Sequence, residues 1–230
     1  MPTTLAFDIY GTLIDTHGVV NALRAIVGER TEAFSSTWRD KQLEYAFRRG
    51  LMRNYVDFAV CTRQALDYTC AVNGIAMSGE QKGALLAEYR CLPAFPDVGD
   101  GLAQLRDAGF RLYAFSNGTE SAVAALLTGA GIADFFIDIV SVDDLASFKP
   151  DPAVYDLFLR RAGTSGDAAW LVSSNPFDVI GAISAGMRAA WLRRSPDAVF
   201  DPWDMAPTAT VAGLGELKAV IGGHHSDRAP

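Results

Sequence analysis

The stretch Leu5-Ala6-Phe7-Asp8-Ile9-Tyr10-Gly11-Thr12-Leu13 constrains this chain most. An apolar run ends in a carboxylate, and a Gly-Thr turn follows at once. Such a run, bounded by a turn signal, reads as a short buried strand. Asp8 then stands at the carboxyl end of a strand, where open α/β sheets bind their ligands. A charge placed there needs a partner or a task, because an unpaired buried carboxylate is costly. Asp also favours turns, so capping of the following turn is the competing reading.

The chain beyond this stretch falls into two parts. Residues 14–93 carry helical periodicity and no convincing strand. A short amphipathic helix fits 19–27. The next runs through Trp38, Leu43, Tyr45, Ala46 and Leu51, with Ser35 or Ser36 as its N-cap. A third fits 55–72, ending near Asn73-Gly74, and a fourth fits 79–90. After the punctuation Pro93-Ala94-Phe95-Pro96-Asp97-Val98-Gly99 the pattern changes. Strand patterns at 110–115, 136–142, 168–172, 188–192 and 208–211 alternate with helical ones at 102–108, 120–130, 152–162 and 178–185. Alternation of this kind implies a parallel sheet with helices on both faces. The expected fold class is therefore α/β: a Rossmann-like parallel sheet core from residues 1–15 and 94–221, with a helical cap domain, 16–93, inserted after the first strand. Residues 222–230 read as a polar, disordered tail in which His224 and His225 are solvated.

Composition narrows the function classes. Net charge is −7, from 20 basic and 27 acidic residues, and no Lys/Arg run stands out. A nucleic-acid partner is not expected. No apolar run approaches the ~18 residues that would cross a membrane, and the first residues lack the basic start of a signal peptide. Cys61, Cys70 and Cys91 are odd in number and lack CxxC spacing, so they read as reduced thiols of a cytoplasmic protein and not as a metal site.

Three strand patterns end in small polar residues: Asp8, Ser116-Asn117, and Ser173-Ser174-Asn175. In a parallel sheet these ends share one edge, with helix N-termini aimed at the same place and favouring an anion there. Each Ser or Asn taken alone can equally be a helix cap. Lys149, in Ser147-Phe148-Lys149-Pro150-Asp151-Pro152, is a cation that can keep Asp8 ionised and hold an anionic substrate.

Asp8-Ile9-Tyr10-Gly11-Thr12-Leu13, Ser116 after a second strand, Lys149-Pro150, and a polar run leading to Asp178 form an ordered set over nearly the whole chain. Together they resemble the haloacid dehalogenase superfamily. In that family the first Asp is the nucleophile, Ser or Thr and Lys position the substrate, and a cap closes the site. Many members are magnesium-dependent phosphatases, which place a second Asp two residues after the nucleophile and open their fourth motif with another. Here those positions hold Tyr10 and Ser174. A hard Mg²⁺ ion needs carboxylate oxygens, so this departure argues against metal and proton chemistry. The segments Ser116-Asn117-Gly118, Ser173-Ser174-Asn175 and Trp38-Arg39-Asp40-Lys41-Gln42-Leu43-Glu44-Tyr45 are instead similar to the L-2-haloacid dehalogenase branch.

The resemblance implies hydrolytic dehalogenation of short L-2-haloalkanoic acids to 2-hydroxy acids, with inversion at C2 and no cofactor or metal. Asp8 would attack C2, and water would then cleave the Asp8 ester. Ser116 and the backbone N–H groups after Asp8 would hold the substrate carboxylate, with Lys149 balancing charge. Arg39 and Asn117 would receive the halide. Asp178 would activate water, oriented by Lys149 and Asn175, while Thr12 bonds Asp8 and Tyr155 joins the polar network. Ser173 belongs to the same catalytic group. Tyr10, Leu43, Phe58 and Phe177 would form the apolar wall, with Ile9 beside them. Arg39 paired with Asp40 or a nearby Glu, Tyr155 as a core tyrosine, and Asp178 as a helix cap are the structural alternatives. Lys41 and Glu44 read as solvated helix charges. A homodimer is usual in the branch. The competing functions are a Mg²⁺-dependent phosphatase or phosphonatase-like hydrolase and a non-catalytic binder on the same fold.

Overall fold

The computed structural model of the protein describes residues 2–226. Six strands form one sheet: β1 (Thr4–Phe7), β2 (Arg111–Ser116), β3 (Asp138–Ser141), β4 (Ala169–Ser173), β5 (Arg188–Leu192) and β6 (Ala209–Val211). Their order is β3-β2-β1-β4-β5-β6, and every neighbouring pair is parallel. The chain winds outward from β1 in one direction and then in the other. The crevice at the carboxyl end of β1 is therefore the topological switch point, where such sheets bind ligands. Phe7 is in register with Ala114 of β2 and with Val172 of β4. That register brings Asp8, Ser116 and Ser173 to one edge.

The long connection from β1 opens with four helices, α1 (His17–Val27), α2 (Thr31–Met52), α3 (Phe58–Val72) and α4 (Gly79–Glu88). The stripe Phe34, Trp38, Gln42 and Ala46 recurs every turn of α2 and is buried, which is why that helix lies against α3. The remaining helices are α5 (Val98–Asp107), α6 (Glu120–Gly129), α7 (Pro152–Ala162), α8 (Pro176–Ser184) and α9 (Leu217–Ser226).

Alternating strand residues build two cores. Leu5, Phe7, Leu112, Ala114, Trp170 and Val172 face α5, α6 and α9, and this layer runs on through Leu13, Ile14 and Leu92 into the interior of α1–α4. Ala6, Tyr113, Phe115, Ala169 and Leu171 face α7 and α8, with Phe58 and Cys61 of α3. The two connections between the sheet and α1–α4 run side by side. Asp15 N donates to Pro93 O at 2.8 Å, and Phe95 N donates to Leu13 O at 2.9 Å.

Several expected boundaries move. Ser35 and Ser36 lie inside α2, because a 3₁₀ turn over Gly28–Arg30 leads directly from α1 into a helix whose buried stripe already begins at Thr31. The third helix starts at Phe58, where the Asp57 side chain accepts from Val60 N; Tyr55 precedes it and donates its hydroxyl to Asp143. α8 starts at Pro176, a residue suited to the first helical position, and not at Asp178. Residues 222–226 belong to α9 and are not disordered. The His224 ring packs 5.2 Å from Trp170, which explains why this polar-looking end is ordered. The rest of the expected tail, 227–230, lies outside the described residues. Cys61, Cys70 and Cys91 are free, and burial pushes the Cys61 and Cys70 thiols up, towards the inert protonated form. No helix among the described residues is long and apolar enough to cross a membrane.

Gly181 of α8 leaves no room for a side chain against Tyr155 of α7 and Pro150. A Cβ there would fall 2.8 Å from Pro150 Cβ and closer still to the Tyr155 hydroxyl. Gly181→Ala should lower the free energy of unfolding in urea by about 1–3 kcal/mol. Gly83→Ala, at an open position inside α4, should raise it by about 0.5–1 kcal/mol. Equal effects at the two sites would contradict the packing described.

Candidate active site

Asp8 leaves β1 at the sheet's carboxyl edge and is nearly buried. Its two oxygens are treated differently. Oδ2 accepts from Thr12 Oγ1 at 2.8 Å, Asn175 Nδ2 at 2.8 Å and Ser173 Oγ at 3.3 Å. Oδ1 accepts from Lys149 Nζ at 3.3 Å. These donors come from three places. Thr12 follows from the tight turn, where Gly11 adopts φ +77°, a left-handed conformation that glycine takes without strain. Ser173 ends β4, and Asn175 is the residue before α8. The group is also braced from behind: Ser174 N donates to Thr12 Oγ1, and Asn175 N donates to Ser173 Oγ.

Lys149 is 1% exposed, so its ammonium must be satisfied by protein. Its three donors meet three acceptors: Asp8 Oδ1, Asp178 Oδ2 at 2.9 Å and Phe115 O at 2.9 Å. Its backbone N donates to Asn117 Oδ1 at 2.9 Å, which ties the loop to the end of β2. Asp178 is fully buried, with Tyr155 Oη donating to its Oδ1 at 2.8 Å. Burial is the largest influence on the Asp178 carboxyl and pushes its pKa up; Lys149 opposes this, and the Asp8 charge adds to it. Tyr155 itself is held far above the ordinary phenol value by burial and then by Asp178, so it remains a donor. It is both a core residue and a member of the polar network. Asp178 bonds Lys149 and Tyr155 and caps nothing.

α2 supplies the opposite wall. Arg39 Nη2 donates to Asn175 Oδ1 at 3.1 Å, and its Nη1 donates to Gln42 Oε1 at 2.9 Å. It pairs with neither Asp40 nor a glutamate, so the guanidinium keeps donors to spare and is linked to Asp8 through Asn175. Trp38 is buried and donates to Thr62 O, fixing α2 on α3. Lys41 and Glu44 pair with each other, and Glu44 also with Arg48. A cavity of about 740 Å³ lies between α2–α4 and the sheet edge. Its lining includes Tyr10, Arg39, Phe58, Tyr89 and Asn175, together with Arg63 and Arg90. Three arginines on one cavity of an acidic chain favour an anionic occupant. The Tyr10 phenol is pushed up to about 12 by burial and by Tyr89, so it carries no charge near neutral pH.

The other expected residues lie close by in different surroundings. Ile9 is fully buried in the core. Leu43 is half-buried, and Phe177 packs against Phe47 of α2 at 5.2 Å. None of the three is among the cavity's lining residues. Ser116 is buried and accepts from Gly118 N. Asn117 uses its Oδ1 on the Lys149 loop, which leaves its amide N–H groups for another partner. Gln42, Tyr89, Arg63 and Arg90 were not foreseen at the site. Gln42 orients Arg39, and Tyr89 packs edge-on against Trp38 and Tyr10. Gln42 was signalled only by its place on the buried stripe of α2, and Tyr89 by nothing local.

A magnesium ion does not fit this donor set. Ser174 replaces a carboxylate, and the Asp8 and Asp178 carboxylates already share the Lys149 ammonium. No cluster of three or more His, Cys, Asp or Glu side chains suited to a metal occurs among the described residues.

A central β1 carboxylate, a buried lysine between two aspartates and a helical wall define a class, and comparison with known proteins agrees. The chain belongs to the haloacid dehalogenase-like hydrolase family, whose model matches residues 2–186. It is 36% identical over 213 residues to the (S)-2-haloacid dehalogenase of Pseudomonas putida, covering 93% of each chain. It is 38% identical over 219 residues to haloacetate dehalogenase H-2 of Moraxella sp. (strain B), covering 94% of this chain and 96% of that one. Among solved structures it is similar to L-2-haloacid dehalogenase from Xanthobacter autotrophicus with chloropropionic acid covalently bound: TM-score 0.89, 32% identity, with 97% of this chain and 99% of that one covered.

The raised Asp178 carboxyl has a consequence for stability. The native state holds this proton more tightly than the unfolded chain does. The group's contribution is therefore fully present below the ordinary carboxyl value of about 4 and is lost as pH rises through the raised native value. Asp178→Asn keeps an acceptor for Tyr155 and removes the buried charge. Its midpoint of thermal unfolding at pH 7 should equal or exceed that of the wild type, with a flatter pH dependence above about 4. A fall of several degrees would mean that the ion pair with Lys149 outweighs the burial of Asp178.

Proposed function

We propose that this protein hydrolyses short L-2-haloalkanoic acids to 2-hydroxy acids through an ester on Asp8, inverting C2 and using no metal. One observation carries the reading: Asp8 presents one oxygen that is heavily hydrogen-bonded and one that is not, and its partner Asn175 also holds an arginine with donors to spare. The relatives' names point the same way.

Asp8 Oδ1, with a single long contact, is the nucleophilic oxygen. It attacks C2 opposite the halogen; the C–halogen bond breaks and the halide leaves with its electron pair. Charge growing on the halide is met by Arg39, with the Asn117 amide beside it. Stabilising charge as it develops lowers the barrier to the chemical step. The haloacid's own carboxylate is held by Ser116, backbone N–H groups after Asp8 and the Lys149 charge. Halide needs no protonation to leave, which suits a neutral Tyr10 where a phosphatase has its acid. Tyr10 and Phe58 give the carbon chain an apolar wall, and Ile9, Leu43 and Phe177 back it.

In the second step water attacks Asp8 Cγ and gives its proton to Asp178. The negative charge of the tetrahedral intermediate gathers on Oδ2, where Thr12, Ser173 and Asn175 already aim their donors. The Cγ–Oδ1 bond then breaks, the departing alkoxide takes the proton that Asp178 received, and the regenerated Asp8 carboxyl releases its own proton to solvent. C2 is not touched again, so the inversion of the first step stands. Asp178 suits the base role because burial raises its proton affinity while Lys149 keeps the anion accessible. Tyr155 holds it in place. The segment 16–93 acts as a cap domain over a core made of 1–15 and 94–221. For the finer points we infer a cytoplasmic homodimer. Its thiols are unpaired, and Met52 and Tyr68 stay exposed along a shallow groove between α2 and α3.

Halide release from racemic 2-chloropropionate tests the reading. Release should survive EDTA, stop at half the racemate and disappear in Asp8→Asn. Its rate should fall on acidification at a pH above the ordinary carboxyl value of about 4. Phosphate release from phosphomonoesters that requires Mg²⁺, with no halide from any haloacid, would replace this reading with the phosphatase one.

A further inference from the structure

One arginine outside the site already described holds both chain connections behind the nucleophile. Arg194 follows β5, and its side chain is only 15% exposed. Its Nε and Nη2 donate to the backbone carbonyl of Thr12 at 3.0 and 2.7 Å. Its Nη1 donates to Asp97 Oδ1 at 2.6 Å, and the guanidinium lies 4.3 Å from the centre of the Phe95 ring. Asp97 is held in turn, since its Oδ2 accepts from Leu214 N at 2.9 Å. Thr12 belongs to the connection leaving the sheet, while Phe95 and Asp97 belong to the one returning to it.

The geometry points to Arg194 as a positioning residue for the nucleophile, a role that rests on reading Asp8 as that group. Thr12 is the link. Its carbonyl is gripped by Arg194, and its hydroxyl donates to Asp8 Oδ2. Thr12 sits in the turn after β1, where its N donates to Ile9 O and its hydroxyl accepts from Ser174 N; the fork of Arg194 holds its carbonyl and so helps set where the hydroxyl points. Lysine, a single charged point, cannot reach the Thr12 carbonyl twice and Asp97 at once. Replacing Arg194 should therefore weaken the Thr12–Asp8 bond while leaving Arg39, Ser116 and the cavity untouched. The loss should fall on ester cleavage, where charge collects on Oδ2, and not on substrate binding.

The experiment is a cycle of wild type, Thr12→Val, Arg194→Lys and the double variant. It is read by rapid-quench kinetics with 2-chloropropionate and by ¹³C NMR of the Asp8 carboxyl carbon, assigned with Asp8→Asn. Arg194→Lys should slow ester cleavage about tenfold, the equivalent of one charge-assisted hydrogen bond, with KM nearly unchanged. In the Thr12→Val background it should have little further effect. Its Asp8 resonance should move in the same direction as in Thr12→Val. Effects that multiply in the double variant, or an Asp8 resonance left at its wild-type position, would overturn the assignment. Wild type that releases no halide would sink the dehalogenase reading, and the NMR comparison alone would then decide the role of Arg194.

Discussion

The ammonium of Lys149, buried between two aspartates, is the interaction on which the rest of the site depends. Two carboxylates at a desolvated sheet edge repel each other, and each is penalised for its own charge. One cation between them offsets both effects, and all three of its donors are used. Removing the lysine from such a buried arrangement typically costs about 3–5 kcal/mol, because both carboxylates are then left uncompensated. The surrounding architecture serves this placement. Asn117 holds the lysine's backbone, Pro150 and Pro152 stiffen the loop, and Tyr155 braces Asp178 from the core side.

That cation also divides the labour between the carboxylates. Asp8 keeps one lightly held oxygen and one crowded by three neutral donors. Asp178, deeper and drier, binds a proton more readily than an ordinary carboxylate. Two residues of the same type thus acquire different chemistry from depth and hydrogen bonding alone. The cap's contribution is of another kind. Arg39 of α2 adds a guanidinium with donors to spare, whereas Arg194 of the core is engaged with Thr12 and Asp97, and burial pushes the nearby Tyr89 phenol up.

Much of this was legible from residues close together in the chain. Asp8 with Gly11-Thr12, the polar strand ends and Lys149-Pro150 carry their meaning locally, because strands, turns and caps are decided by near neighbours. The parallel sheet followed from alternation. Misplacements cluster where tertiary contacts overrule local signals. Ser35 and Ser36 look like caps, yet α2 runs through them because its buried stripe starts earlier. Residues 222–226 look like a tail, yet His224 finds the Trp170 ring. Tyr89 and Arg194 carry no motif at all, since each matters only through residues far away in the chain.

The sequence by itself determined the order of elements, the place of Asp8 at the end of the first strand and the absence of a carboxylate at Tyr10 and Ser174. These are matters of residue type and spacing, which the linear chain states outright. Only the tertiary structure decided which Asp8 oxygen is left free, which residues line the cavity, and that Arg39 turns towards Asn175 and away from Asp40. Those outcomes depend on distances between β1, β4, α2 and the loop after β3. Such distances are set by strand register and by the packing of helices onto one another, and no local propensity encodes them.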